Sequence, residues 1–323
     1  MISISVIIPL YNVEKYIARC LNSLLDQTFQ SFEVIIVDDF SNDSSVHIAE
    51  SFKDKFNAFR IIHHDYNKGL MYARYSGYSI AQGEYFVFLD SDDFLPFNSL
   101  ELYYNAIAGT HYDMIKGGFT IIDDNRCILN EYVPQNLHPK TGAQLKEDIL
   151  TDKIMHNLWG AIYSRKLFED YTYITYENQT NSEDLLLLLQ LCDNINEYSI
   201  LECSTYFYYE NSISSSRVRF SDKSLRQYLH ALKSINTNVS IDKELRERYV
   251  SKYIGALLYN NYDINTIEAF FSESINKLFN SKTLVRYHGH SKGVLLFVLF
   301  KSRLVRYLIY KLRPLLNRLR KWD

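Results

Sequence analysis

The chain has 323 residues, of which 47% are hydrophobic and 23% are charged. This balance is typical of globular proteins and excludes a disordered or collagen-like chain, and the length allows one large domain with an appendage. The formal net charge of −3 hides an asymmetry. The first 273 residues carry −14, whereas the last 50 carry twelve Lys or Arg, one acidic residue and a net charge of +11. A basic segment of this kind indicates contact with something anionic, either a membrane or a nucleic acid.

Short apolar runs alternate with helical patterns through the first third of the chain. The predicted strands are Ile2–Leu10, Phe32–Asp38, Arg60–His64 and Glu84–Asp90. The predicted helices are Val13–Leu25, Val46–Phe56, Leu70–Ala81 and Asn98–Ala108. This alternation predicts an α/β domain with a mostly parallel sheet, in which ligands bind at the carboxyl ends of the strands.

The rest of the chain changes from a mixed pattern to a helical one. Candidate strands at Met114–Ile122 and Ser204–Tyr209 occur together with candidate helices at Gly142–Thr151 and Ser182–Asn194. Beyond about Arg217 only helical patterns follow, which predicts a domain boundary near that residue.

Three carboxylates, at Asp90, Asp92 and Asp93, follow the fourth predicted strand. Carboxylates this close repel one another, and a hard divalent cation would relieve the repulsion. Mg²⁺ or Mn²⁺ takes one or two protein carboxylates and completes its shell with water and substrate phosphates. The alternative is an acidic turn that caps the next helix.

Polar groups also follow the second and third predicted strands. Asp38 and Asp39 end the second strand, where an aspartate can accept from a base N–H or from ribose hydroxyls, or can simply form a turn. Gly69 permits a close backbone approach, and Lys68 and Arg74 can pair with a diphosphate. The alternative for these two cations is a solvated basic face.

Glu183 and Asp184 open a leucine-rich predicted helix directly after Ser182. Ser182 is a good N-cap and acids favour the first turn of a helix, which is a structural explanation. The functional alternative is that Asp184 or Glu183 is a general base. No G-x-G-x-x-G or P-loop motif occurs, so dinucleotide-binding and P-loop functions lack their usual support.

Taken together, these segments resemble glycosyltransferase family 2, the inverting enzymes that use nucleotide sugars and have the GT-A fold. The resemblance is carried by the opening from SVIIPLYN to DDFSNDSS, and then by NKGLMYARYSG, GEYFVFLDSDD, LWGAIYSRKLF and NSEDLLLLLQL. TYFYYENSISSSR resembles a Tyr-rich strand and loop of members that build capsule and lipopolysaccharide. The resemblance implies a Rossmann-like GT-A domain over 1–217, with a mostly parallel sheet and flanking helices, followed by an α-helical region over 218–323.

The resemblance also implies residue roles. Asp39 would bind the base, usually uracil, and Asp92 would hold Mn²⁺ or Mg²⁺. Asp184 would be the catalytic base, with Glu183 beside it, and Asp93 would be structural. Lys68 and Arg74 would lie by the diphosphate, and Asp90 would reach the ribose. The implied donor-binding residues are Pro9, Tyr11, Glu14, Asp39, Lys68, Arg74, Asp90 and Ser91. Tyr75 stands where members often have Asn, which weakens any claim for a polar contact there.

The implied reaction is a single displacement, in which Asp184 takes the proton of an acceptor hydroxyl that attacks the sugar C1 opposite the diphosphate. The donor would be a nucleotide sugar, usually a UDP-sugar, and the acceptor a glycan or lipid-linked glycan. An inactive scaffold with this fold is the first alternative, although the intact acids at 39, 92 and 184 argue against it. A sugar nucleotidyltransferase is the second, and residues 7–12 lack the phosphate loop that it would need.

Residues 291–322 mix basic and apolar side chains. In a continuous helix, Phe300, Leu304, Leu308 and Leu312 would share one face. Such a basic amphipathic helix lies in the interface of an anionic leaflet; the alternative is a helix packed on protein. The acidic main domain and the lack of a groove-reading motif argue against nucleic acid. The apolar run Val294–Phe300 is too short to span a bilayer, so we expect a cytoplasmic protein, peripheral at the inner face of the cytoplasmic membrane.

Overall fold

The computed structural model describes residues 2–125, 127–135, 139–169, 182–210, 221–238, 242–260, 262–271, 276, 279–302 and 304–307. The chain divides into two compact units, Met1–Ser224 and Leu225–Asp323. The first contains the sheet, and the second is helical where it is described. Two stretches discussed above, 211–220 and 308–323, lie outside the described residues.

The secondary structure of the described residues follows the predicted alternation. Strands β1 to β8 are Ile4–Leu10, Phe32–Asp38, Phe59–His63, Tyr85–Phe88, Met114–Ile122, Ile128–Tyr132, Ala161–Ser164 and Tyr198–Tyr209. Helices α1 to α7 are Ile17–Leu25, Ser45–Glu50, Leu70–Ile80, Ser99–Ile107, Gly142–Leu150, Lys166–Glu169 and Glu183–Leu191. In the second unit, helices α8 to α12 are Asp222–Asn238, Lys243–Tyr259, Ile264–Phe271, Ser281–His288 and His290–Lys301, the first of which begins just inside the first unit.

The strands form one sheet in the order β3-β2-β1-β4-β7-β5-β6, and β8 pairs with β5. Strands β3, β2, β1 and β4 run parallel, with Ile4 opposite Phe32 and Leu10 opposite Asp38. β7 is antiparallel to β4 and to β5, whereas β8 runs parallel to β5. The predicted α/β fold with a mostly parallel sheet is confirmed.

Every residue of β1 and β2 is buried, as in central strands that are covered on both faces. Helix α3 lies directly against β1, because a Cβ atom added to Gly77 would collide with the Ile7 side chain. Arg74 lies three residues before Gly77, and residues at this spacing share a helix face. The packing of α3 therefore turns the Arg74 side chain inward, where it is fully buried.

Several elements of the first unit differ from the predictions. α2 ends at Glu50 rather than at Phe56, β8 begins at Tyr198 rather than at Ser204, and α6 was not predicted. β6 and β7 were not predicted, because β7 has only four residues and β6 is exposed along most of its length, so neither has a clear period. The helix predicted from Val13 begins only at Ile17. In the preceding turn the Val13 amide donates to Ser45 Oγ at 2.7 Å, which ties residue 13 to the start of α2.

The helix predicted to run continuously over 291–322 is interrupted at Ser302, so that prediction is wrong. Helix α12 ends at Lys301, and Ser302 has an extended backbone with φ −126° and ψ 107°. Phe300 and Leu304 therefore do not share a face: Phe300 is 4% exposed and Leu304 is 66% exposed. The buried Arg306 stabilises the break by donating to the carbonyl oxygens of Leu299 and Phe300. Within the described ranges, no helix has the length and apolar character needed to cross a membrane.

Candidate active site

β1, β2 and β4 end at one edge of the sheet, and the loops that follow β1 and β2 are joined by hydrogen bonds. Asn12 Oδ1 accepts from the Asn42 amide at 2.8 Å, and Glu14 Oε2 accepts from the Ser44 amide at 3.0 Å. Tyr11, next to these contacts, is 46% exposed. Glu14 therefore holds the rim of this edge together, while Tyr11 presents an aromatic ring to solvent.

Asp39 is buried and anchors the start of α3. Its Oδ1 accepts from the Lys68 amide and its Oδ2 from the Gly69 amide, both at 2.8 Å. The His64 ring nitrogen Nδ1 lies 2.7 Å from the same Oδ1. Gly69 has φ +91°, a conformation that favours glycine. A carboxylate has about four acceptor positions, and these three contacts use three of those of Asp39.

Lys68 and two further aromatic rings lie at the same edge. Lys68 Nζ lies 5.4 Å from the centroid of the Tyr66 ring. Tyr66 and Phe40 are each about half exposed. Pro9, in contrast, is buried inside β1 opposite Val37. Of the predicted donor-binding residues, Tyr11 and Glu14 are therefore exposed, whereas Lys68 is half-buried.

Arg74 joins two carboxylates that are far apart in the sequence. Its guanidinium is fully buried, with Nη1 paired to Asp184 Oδ1 and Nη2 donating to Asp90 Oδ1 at 3.0 Å. Burial raises the pKa of Asp90, and the charges of Asp184 and Asp92 raise it further, while Arg74 acts in the opposite direction. The resemblance implied that Arg74 lies beside the diphosphate; in the structure its guanidinium holds the two carboxylates together.

Asp184 is held on its second oxygen as well. The Leu158 amide donates to Asp184 Oδ2 at 3.0 Å, and the carboxylate remains 16% exposed. Ser182 has a left-handed backbone and its side chain makes no capping hydrogen bond, so the predicted side-chain cap is wrong, although Glu183 and Asp184 do stand in the first turn of α7. Glu183 is 9% exposed, and burial, followed by the charge of Asp184, raises its pKa.

In the turn formed by residues 90–93, one carboxylate is held by hydrogen bonds from the protein, and another is available to bind a ligand. Asp93 is 1% exposed and accepts from the Tyr206 hydroxyl at 2.8 Å and from the Tyr209 amide at 2.7 Å. The backbone carbonyl of Asp92 accepts from Arg19 Nη2 at 2.6 Å, and the Arg19 guanidinium lies over the Tyr209 ring. These contacts hold the turn that presents the Asp92 side chain.

A divalent cation fits this turn by the chemistry of its donors. Both oxygens of Asp93 are used and one oxygen of Asp90 is held by Arg74, so the Asp92 carboxylate is the available ligand. Burial raises the pKa of Asp92, and a bound cation would favour its charged form. Within the described ranges, no set of three or more His, Cys, Asp or Glu side chains is grouped to hold a metal. Mg²⁺ and Mn²⁺ take one or two protein carboxylates and complete their shell with water and substrate phosphates.

The structure brings most of the predicted site residues to one edge, and it adds others that sequence reasoning missed. Arg19, His64 and Lys116 are the main additions, together with the backbone amide of Leu158. In the local sequence, Lys116 stands out only because it lies inside an apolar strand. Nothing in the local sequence points to the Leu158 amide, because its role depends on a residue 26 positions away.

Comparison with known proteins finds glycosyltransferases that are similar to this chain. EpsJ of Bacillus subtilis, an uncharacterized glycosyltransferase, is 28% identical over 81% of this chain and 71% of its own length. TarS of Staphylococcus aureus, a poly(ribitol-phosphate) beta-N-acetylglucosaminyltransferase, is 26% identical over 84% of this chain but 46% of its own.

A crystal structure of TarS 1–349 in complex with UDP-GlcNAc matches the fold with a TM-score of 0.70. The match covers 93% of this chain and 91% of that one at 20% identity. The model of the family described as Glycosyl transferase family 2 matches residues 5–172, about half of the chain. The chain belongs to glycosyltransferase family 2 and has the GT-A fold.

Proposed function

We propose that this chain is an inverting glycosyltransferase of surface polysaccharide synthesis. It moves a sugar from a nucleotide donor, in the first place a UDP-sugar, to a hydroxyl group of a glycan or lipid-linked glycan. The observation that carries the proposal is the pairing of Asp184 and Asp90 through the buried Arg74, beside Asp92 at the carboxyl edge of the sheet. The names of EpsJ and TarS support the class of reaction, and the name of TarS adds a polymer as acceptor.

Asp184 is the base in this proposal. Arg74 and the Leu158 amide each occupy one lone pair of its carboxylate, and about two acceptor positions remain for an acceptor hydroxyl. Asp184 takes the hydroxyl proton as the hydroxyl oxygen bonds to the sugar C1. The bond from C1 to the diphosphate breaks on the opposite face, so the anomeric centre inverts. Burial raises the pKa of Glu183, which favours its protonated form and therefore Asp184 as the base.

The donor is held by the other groups at the edge. The free acceptor position of Asp39 suits the N–H of a uracil base, and Tyr11 offers a ring for stacking. Lys68 offsets charge on the diphosphate. Asp92 and the free oxygen of Asp90 would hold Mg²⁺ or Mn²⁺, which supplies a Lewis acid for the leaving diphosphate.

The test is a screen of the purified full chain with Mn²⁺ against UDP-sugars and GDP-sugars. Donor hydrolysis and thermal shift are measured, with Asp184→Asn as the inactive control. We expect hydrolysis and stabilisation with at least one UDP-sugar, and hydrolysis that Asp184→Asn lacks. Absence of both signals across the panel contradicts the proposal.

Replacement of Asp92 tests the proposed cation site. Asp92→Ala is expected to lower the affinity for UDP in Mn²⁺ by at least about tenfold, which is roughly 1.4 kcal/mol, because it removes the available carboxylate. Calorimetry with Mn²⁺ and with EDTA measures the effect. Asp54→Ala, at an exposed position of the first unit, is the control. UDP affinity in Asp92→Ala that still responds fully to Mn²⁺ counts against the site.

We further propose that the basic C-terminal segment holds the enzyme at an anionic membrane surface. Val294, Leu295, Leu304 and Tyr307 are exposed apolar residues in this segment, and the last 50 residues carry a net charge of +11. Exposed apolar groups among cations are typical of interfacial binding. A lipid-linked acceptor would be presented at the same surface.

A variant with fewer positive charges tests this contact more cleanly than a deletion from residue 291, because Leu296, Leu299 and Phe300 are buried. Gln replaces the basic residues at 311, 313, 318, 320 and 321, which leaves α12 intact. Each cation contributes about 1 kcal/mol at an anionic surface, so we expect at least about a tenfold loss of binding to phosphatidylglycerol vesicles. Co-sedimentation measures it, with phosphatidylcholine vesicles as control. Equal binding by both proteins overturns the proposal.

A further inference from the structure

Lys116 is a buried cation outside the donor site. It lies within β5, is 2% exposed, and donates from Nζ to the carbonyl oxygens of Asn157 at 2.7 Å and Trp159 at 2.9 Å. Burial lowers its pKa to about 7, although the charge of Asp184 acts in the opposite direction. Lysine is rarely buried in this way, so the two carbonyl contacts call for an explanation.

The two carbonyl groups flank the amide that contacts the base. The Leu158 amide, between them, donates to Asp184 Oδ2 at 3.0 Å. The carbonyl of Leu158 accepts from the Tyr163 hydroxyl at 2.9 Å, and the carbonyl of Gly160 accepts from the Gly117 amide at 2.9 Å. All four carbonyls from residue 157 to residue 160 are therefore held, which fixes the direction of the Leu158 amide.

The opposite oxygen of Asp184 is paired with Arg74. The carboxylate is thus held from two sides, by a side chain of α3 and by a loop whose shape depends on Lys116. We propose that Lys116 is a positioning residue for the base: it fixes the 157–160 loop so that the Leu158 amide orients Asp184 toward the acceptor hydroxyl. This inference rests on the proposed function of Asp184.

A purely structural role of Lys116 makes different predictions. If Lys116 only stabilised the contact between β5 and the loop, its loss would lower stability and affect all kinetic parameters through the amount of folded enzyme. If it positions Asp184, its loss lowers kcat, leaves the donor KM unchanged, and has no further effect once Asp184 is gone.

The experiment compares Lys116→Met with Lys146→Met in the full chain. Lys146 is the matched control, because it is also buried in the first unit but pairs with Asp193. We expect Lys116→Met to lower kcat for transfer by about 10²-fold, the effect of a small misplacement of a reacting group. Donor KM and UDP affinity stay within about threefold, and Lys146→Met keeps its kcat within the same range.

A double-variant comparison separates positioning from stability. In the Asp184→Asn background, Lys116→Met is expected to change the residual rate by less than about threefold, because both changes act through one carboxylate. Tyr163→Phe, which removes one loop contact and keeps the ring, is the milder variant should Lys116→Met fail to fold. Tyr163→Phe should also lower kcat. In the Asp184→Asn background, it should change the residual rate by less than about threefold.

Each outcome has a separate meaning. A kcat near that of the unaltered protein in Lys116→Met, or in Tyr163→Phe where only that variant folds, overturns the inference alone. An equal loss of rate with and without Asp184 does the same. Failure of the unaltered protein to use any nucleotide sugar overturns the proposed function, and the inference with it.

Discussion

Asp184→Asn is expected to abolish transfer while donor binding is retained. The amide cannot take the acceptor proton, and loss of a general base costs about 10²- to 10⁴-fold in rate. Asp184 contacts Arg74 and the Leu158 amide, and UDP is proposed to bind through Asp39, Lys68 and Asp92. We therefore expect kcat for transfer to fall by at least about 10³-fold, with UDP affinity within about threefold. Product analysis measures transfer and calorimetry measures UDP binding.

The same change has a predictable cost in stability. Both oxygens of Asp184 accept from donors, so the NH₂ group that the substitution introduces would face an N–H donor on one side. Leaving a buried group unsatisfied costs about 1–3 kcal/mol, and thermal unfolding serves as the control for folded protein. Substantial transfer by a folded Asp184→Asn protein would remove Asp184 from the role of base.

Arg74→Met is expected to be the most destabilising of these changes. It removes a fully buried cation and leaves Asp90 and Asp184 facing each other without their common partner. Removing one partner of a buried ion pair costs about 3–5 kcal/mol, which corresponds to a fall of roughly 10 °C in the melting temperature of the first unit. Transfer activity is lost as well, because one of the two groups that orient Asp184 is gone.

The cost of Arg74→Met should grow with pH. Burial already raises the pKa of Asp90, and Arg74 opposes that shift, so the variant raises this pKa further. A carboxyl group with a folded pKa above its unfolded value loses stability as pH rises through the folded pKa. The difference in stability from the unaltered protein should therefore be larger at about pH 8 than at about pH 5.

Two controls accompany this measurement. Arg74→Lys keeps the charge but cannot contact both carboxylates, so an intermediate loss is expected. Arg286→Met breaks an ion pair whose side chains are 69% and 51% exposed, and such pairs contribute at most about 1 kcal/mol. If Arg74→Met is no more destabilising than Arg286→Met, the buried pairing has no energetic role.

Local patterns predicted the first half of the fold well. β2 and β5 have the predicted limits because a buried strand is a continuous apolar run. The exposed β6 and the short β7 carry no such signal. The continuous C-terminal helix failed because the pattern of apolar residues continues across Ser302 while the backbone does not.

The site was predictable in its residues but not in its pairings. Asp90, Asp92 and Asp184 stand out as carboxylates at element ends. The pairing of Arg74 with Asp184 spans 110 positions, and only the fold brings these residues together. A functional role of Lys116 is indicated only by its buried contacts with the loop at 157–160, which the sequence does not show.

If Asp39 binds the base of the donor as proposed, its anchoring of α3 limits how this enzyme can change its donor. Asp39 fixes the Lys68 and Gly69 amides at the start of the helix, and Arg74 lies only about one turn further along it. A substitution at 39 that selects another base would also shift the group that orients Asp184. Engineering of base preference should therefore begin at the exposed Tyr11, Phe40 or Tyr66, whose side chains are not the ones that hold the Lys68 and Gly69 amides.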